Sequence, residues 1–233
     1  MIAFMSAPSL TRRQALLIAG GGLVAACTAE QREAYAQSAG QCTLTPRATE
    51  GPFYLDPRLE RADISEGRPG TPLLVRLKVV EAGNCAPVGG TRVDIWQCDA
   101  AGVYSAFDGQ LGGVDASAQR FLRGHQRAGA PGTVEFRTIW PGWYPGRAPH
   151  IHYKVLLGGA EALTAQLYFP DELNAKIYAA NAAYPRKWRD EARNGRDGIF
   201  AGARDTGVAK ISDAGGMMVA SLDVAIDRGR GRS

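Results

Sequence analysis

Short apolar runs with a period of two, cut at intervals by glycine and proline, constrain this chain more than any other feature. Leu73, Val75, Leu77 and Val79 alternate with Arg76 and Lys78, and only an extended strand sets every second side chain on one face. Similar strands are expected at about 91–97, 133–139, 151–157, 163–169 and 217–226. Turn-rich segments such as Asn84–Gly90 and Gly129–Gly132 separate several of them, and 29 Gly with 13 Pro weigh against a helical bundle. The expected fold is mainly β, a single β-sandwich domain. One short peripheral helix interrupts it, with Asp171 as a cap after Pro170 and Leu173, Ile177, Ala180 and Tyr184 at helical spacing. The stretch 185–207, rich in Arg, Asp, Asn and Gly, reads as a long loop, and there is neither an internal repeat nor a second domain.

The formal charge of +4 comes partly from the two ends, from Arg12 and Arg13 and from Arg228, Arg230 and Arg232. Without interleaved aromatics on a defined face these read as solvated tails, and no nucleic-acid partner is expected. Residues 11–26 place the twin arginines before a short apolar stretch relieved by Gly20, Gly21 and Gly22. That stretch is too short for a membrane span and resembles a twin-arginine export signal. Residues 1–36 are therefore expected to be an export signal and linker, and 37–233 the folded domain. Val24-Ala25-Ala26-Cys27 would leave a lipid anchor at Cys27, whereas Ala34-Tyr35-Ala36 would release a soluble protein beginning near Gln37. The expected location is periplasmic, or membrane-anchored on the outer side of the cytoplasmic membrane. An oxidising compartment permits one disulfide among Cys42, Cys85 and Cys98. Cys42 with Cys85 is the expected pair because both sit in turn-rich segments; three unpaired small buried residues are the alternative. Without a C-x-x-C pair, zinc is not suggested by the cysteines.

Of three histidines in the chain, His150 and His152 open a strand, and the strand period puts both imidazoles on one face. They follow Pro141-Gly142-Trp143-Tyr144-Pro145-Gly146-Arg147-Ala148-Pro149, a loop whose prolines and glycines fix an unusual backbone. No Asp or Glu lies near the pair in sequence, which counts against a two-histidine-one-carboxylate iron(II) site and makes tyrosine the expected anionic ligand. His125 has no partner at metal spacing and reads as structural. Trp96 and Trp140 read as core, and Trp143 and Tyr54 are weak candidates for a pocket wall.

These motifs, together with Thr49-Glu50-Gly51-Pro52-Phe53-Tyr54, Val93-Asp94-Ile95-Trp96-Gln97-Cys98-Asp99, Gly102-Val103-Tyr104-Ser105 and Thr164-Ala165-Gln166-Leu167-Tyr168-Phe169, resemble the intradiol ring-cleavage dioxygenase family. The resemblance runs over roughly 42–226. It implies Tyr104, Tyr144, His150 and His152 as ligands of one Fe(III) per chain. Tyr144 would be the ligand that leaves when substrate arrives and then serves as a base, while Arg147 and Gln166 would be active-site residues. It implies a catechol and O2 as substrates and a muconate-type diacid as product. The loop between Tyr144 and His150 is shorter than in the better-known ring-cleaving enzymes, which bears on pocket shape and substrate identity. Two other readings stay open: a transthyretin-like extracytoplasmic binding module, and a zinc or copper enzyme built on the same histidine pair. Homo-oligomerisation is also left open.

Overall fold

A computed structural model of the chain describes residues 42–56 and 58–231. The twin-arginine stretch, both processing sites, Cys27 and the 36/37 boundary lie outside them. Among the described residues eight strands form two four-stranded sheets: β1 (Pro72–Glu81), β2 (Arg92–Trp96), β3 (Arg123–Arg127), β4 (Thr133–Ile139), β5 (His150–Leu157), β6 (Ala160–Tyr168), β7 (Lys210–Ala214) and β8 (Met217–Ile226). One sheet has the order β4-β1-β8-β7 and the other β3-β2-β5-β6. Pairing is antiparallel except between β1 and β8.

The alternation in β1 does what its period demands: Leu73, Val75, Leu77 and Val79 are buried, while Arg76 and Lys78 face outward. They pack with Val93, Ile95, Tyr153 and Val155 of the facing sheet in one hydrophobic core, the arrangement of a β-sandwich. Strands β3 and β7 are additions to the sequence reading. The first, Arg-Gly-His-Gln-Arg, has no apolar alternation and pairs with β2, and the second is an exposed edge. His125 lies within β3, its Nε2 4.0 Å from Glu60 Oε2.

Helix α1 (Asp171–Ala180) is real but differs from the expectation at both ends. Pro170 occupies the N-cap with no side-chain cap, and Asp171 Oδ1 instead accepts the Asn194 amide at 3.1 Å. Tyr184 is outside the helix because Asn181 turns extended and Pro185 disfavours helical backbone before it. Its hydroxyl donates to Trp140 O and accepts the Thr71 amide. The long 185–207 stretch carries three single 3₁₀ turns and a four-residue helix α2 (Phe200–Ala203). Among the described residues no helix is long and apolar enough to cross a membrane.

Residues 42–49 form a strap across both sheets. Cys42 is disulfide-bonded to Cys85, leaving Cys98 as a free, buried thiol. Thr45 pairs with Ala225 of β8 through its amide (3.0 Å) and its Oγ1 (2.9 Å). Ala48 N then donates to Thr164 O of β6 at 2.9 Å, and Thr49 O accepts Gln166 Nε2 at 3.0 Å.

Candidate metal centre

Strand β5 starts at His150, and the period of two brings His150 and His152 to one side, both almost fully buried. Their Nε2 atoms stand 3.1 Å apart. His150 Nδ1 lies 2.7 Å from Ala148 O, a backbone acceptor. That bond requires the proton on Nδ1 and leaves the Nε2 lone pair free for a cation, the orientation typical of a ligating imidazole. His152 lies against Trp96, its register partner on β2, with stacked rings 4.8 Å apart.

Tyr104 comes from the loop between β2 and β3. Gln110 clamps it at both backbone groups, accepting its amide at 2.8 Å and donating to its carbonyl at 2.6 Å, and Phe53 stacks on its ring at 4.5 Å. Tyr144 comes from the proline-glycine loop, which Arg147 N closes by donating to Tyr144 O at 3.0 Å while Gly146 takes φ +79°. Gly142 makes a close approach no other residue could make: an added Cβ would lie 2.6 Å from both Asp99 O and Ala100 O.

The four side chains converge. Tyr104 Oη lies 3.5 Å from Tyr144 Oη and 3.4 Å from His150 Nε2, and Tyr144 Oη is 3.2 Å from the same nitrogen. Donors about 2.0–2.1 Å from a common cation in tetrahedral array stand about 3.3 Å from one another, so these spacings fit a small metal ion. Among the described residues no cluster of three or more His, Cys, Asp or Glu could hold a metal; with the two tyrosines the site could offer two hard phenolic oxygens beside two imidazoles, a set that suits a trivalent iron. Burial keeps all four neutral without a cation. It raises Tyr104 well above its ordinary value and Tyr144 to about 12, the latter partly offset by Arg147, and it pushes His150 down to about 3 and His152 well down. A strong positive charge is what would ionise such phenols.

Arg147 and Gln166 meet at one edge of this cluster. Arg147 Nη2 donates to Gln166 Oε1 at 2.5 Å, and Nη1 lies 3.3 Å from Tyr144 Oη. Two partners were not among the expected site residues. Tyr168, paired with His150 across β5 and β6, donates to Gln166 Oε1 at 2.8 Å. Asp197, from the 185–207 stretch, has a fully buried side chain and accepts Arg147 Nε and Ala148 N, both at 3.0 Å. The carboxylate absent from the neighbourhood in sequence is thus present in space, where it is occupied by Arg147. Arg123 is buried, and among the described residues its guanidinium donates only to Ser105 O, Ser105 Oγ and Phe53 O, bracing the segments that hold Tyr104. Tyr54 donates to Asp94 Oδ2 at 2.8 Å and packs on Trp96, which makes it a wall behind His152. Trp143 is buried in the main core.

Fold and donor set together define a β-sandwich protein with a buried tyrosine–histidine centre at one end of a sheet. Residues 50–187 match the sequence family described as "Dioxygenase". An intradiol ring-cleavage dioxygenase from Tetranychus urticae is 33% identical, superposes with a TM-score of 0.72 and covers 80% of this chain and 95% of its own. The dioxygenase domain of a dioxygenase carbohydrate-binding protein fusion from Streptomyces sp. SirexAA-E is 31% identical with a TM-score of 0.59, covering 79% of this chain and 98% of its own. Catechol 1,2-dioxygenase 1 of Acinetobacter lwoffii is 30% identical over 145 residues, 52% of this chain and 45% of that protein. The chain spans about half the length of the curated relatives it matches. It belongs to the intradiol ring-cleavage dioxygenase family.

Proposed function

We propose that the chain is an iron(III)-dependent intradiol dioxygenase that opens a catechol-type ring between its two hydroxylated carbons, placing both atoms of O2 in a muconate-type diacid. The observation that carries this is the convergence of Tyr104 Oη, Tyr144 Oη, His150 Nε2 and His152 Nε2. These four residues would hold the iron, which when bound would supply a Lewis acid able to activate a deprotonated diol toward O2. Tyr144 Oη swings away as substrate enters and takes a proton from a catechol hydroxyl. Arg147, held by Asp197 and Gln166, keeps its guanidinium beside Tyr144 to offset negative charge developing on the substrate. Trp96 and Phe53 wall the centre and exclude water from His152 and Tyr104.

The protein acts outside the cytoplasm. The twin-arginine stretch in the sequence and the Cys42–Cys85 disulfide support this reading, since such bonds persist in oxidising compartments. The purified protein, loaded with iron, is expected to show a visible tyrosinate-to-iron(III) band with about one iron per chain, shifting when catechol is added. The Tyr104→Phe variant should lose about half of that band, with Tyr144 left as the remaining tyrosinate. A protein that stays colourless after iron reconstitution would overturn the assignment.

A further inference from the structure

Beside the loop that carries Tyr144 lies a cavity of about 740 Å³, within the size range of small-molecule sites. Trp143 and Pro145, the residues on either side of Tyr144, line it together with Trp188, whose ring lies against Tyr178. Among the described residues neither buried indole N–H has a hydrogen-bond partner, so each is a donor left unmet. The same cavity gathers Arg186, Lys187 and Arg189 against a single carboxylate, Glu191, a local excess of two positive charges. Among the described residues none of the three cations is paired with a carboxylate. Arg186 donates to the carbonyls of Ala101 and Trp143, and Lys187 and Arg189 reach solvent.

We propose that this cavity is a separate binding site for an aromatic carboxylate. The two indoles border the space a ring would fill, and the cations neutralise the acid. No part of it includes the tyrosine–histidine centre, so the site stands whether or not that centre holds iron.

Tryptophan fluorescence of the whole protein titrated with benzoate tests it, with benzyl alcohol as the neutral ring and adipate as the non-aromatic diacid standing for a ring-opened product. Benzoate should quench saturably and bind about tenfold or more tighter than either comparison ligand. The exposed pair Lys187→Ala/Arg189→Ala should weaken benzoate by about tenfold at unchanged thermal midpoint, and Arg147→Ala should leave it intact. Equal binding of benzyl alcohol or of adipate would overturn the proposal. So would binding that survives in Lys187→Ala/Arg189→Ala and disappears in Arg147→Ala, which would place benzoate at the catechol site instead.

Discussion

Replacing Asp197 by asparagine tests how the centre is held together from outside its own donor set. The carboxylate accepts four bonds: Arg147 Nε and Ala148 N at 3.0 Å each on Oδ2, and Ile199 N at 2.8 Å and Phe200 N at 3.3 Å on Oδ1. Asparagine keeps the Oδ1 pair but turns an amide NH2 toward two donors, leaving Arg147 without its counter-charge. Breaking a buried ion pair in this way costs about 3–5 kcal/mol. The Arg147 side chain retains 16% exposure, so water screens part of the loss, and about 3 kcal/mol is the expected figure. For a domain of this size that is roughly 6–12 °C in thermal midpoint. Urea unfolding of Asp197→Asn, Arg147→Ala and the double variant isolates the pair. The double should be less destabilised than the sum of the singles by about 2 kcal/mol, because removing Arg147 removes the stranded charge. With the guanidinium no longer fixed beside Tyr144, kcat/KM for a catechol should fall by about 100-fold in Asp197→Asn. A stability loss below about 1 kcal/mol, or strictly additive singles, would refute the reasoning.

Gly142→Ala should cost about 2 kcal/mol and weaken iron retention, since its Cβ would strike two backbone carbonyls that cannot give way and so displace the loop bearing Tyr144; urea midpoints and metal analysis check both. Cys85→Ser should cost about 4 kcal/mol, the loop-closure value for a sequence separation of 43, read as a lower thermal midpoint than the oxidised parent. In metal-free protein, burial holds His150 down to about 3 and His152 low, against about 6.5 in the unfolded chain. As pH falls below 6.5 the unfolded state binds protons that the folded state refuses, so stability drops. The urea midpoint should therefore be lower at about pH 5 than at about pH 7.5, where most carboxylates are still ionised at both, and the difference should shrink in His150→Ala.

The strands whose apolar residues alternate were legible in the sequence because period two leaves a direct mark, as in Leu73 to Val79. So were the histidine pair and the loop before it, where sequence distance and spatial distance coincide. Strands β3 and β7 were not legible. Arg-Gly-His-Gln-Arg is polar because Arg123 spends its donors on Ser105 and Phe53 rather than facing solvent, and the edge strand β7 buries too little to need apolar residues. Asp197 was invisible for a different reason. It lies 50 residues beyond Arg147 in a segment that reads as loop, and nothing local distinguishes it from neighbouring acids that stay in water. Tyr184 misled because its helical spacing from Ala180 is fulfilled by a buried hydroxyl reaching Trp140 instead of by another helical turn.

The strap of residues 42–49 makes the first described residues a mechanical element. It is fastened to one sheet at Ala225 and to the other at Thr164, and it ends on the Gln166 amide that helps hold Arg147. Tension applied ahead of Cys42, whether from a lipid tether, a surface immobilisation or a fused domain, would first load the Cys42–Cys85 bond, so the disulfide acts as a strain relief between whatever holds the protein and the residues around its centre. A fusion joined at residue 48 in place of that bond would pass its load straight to Gln166.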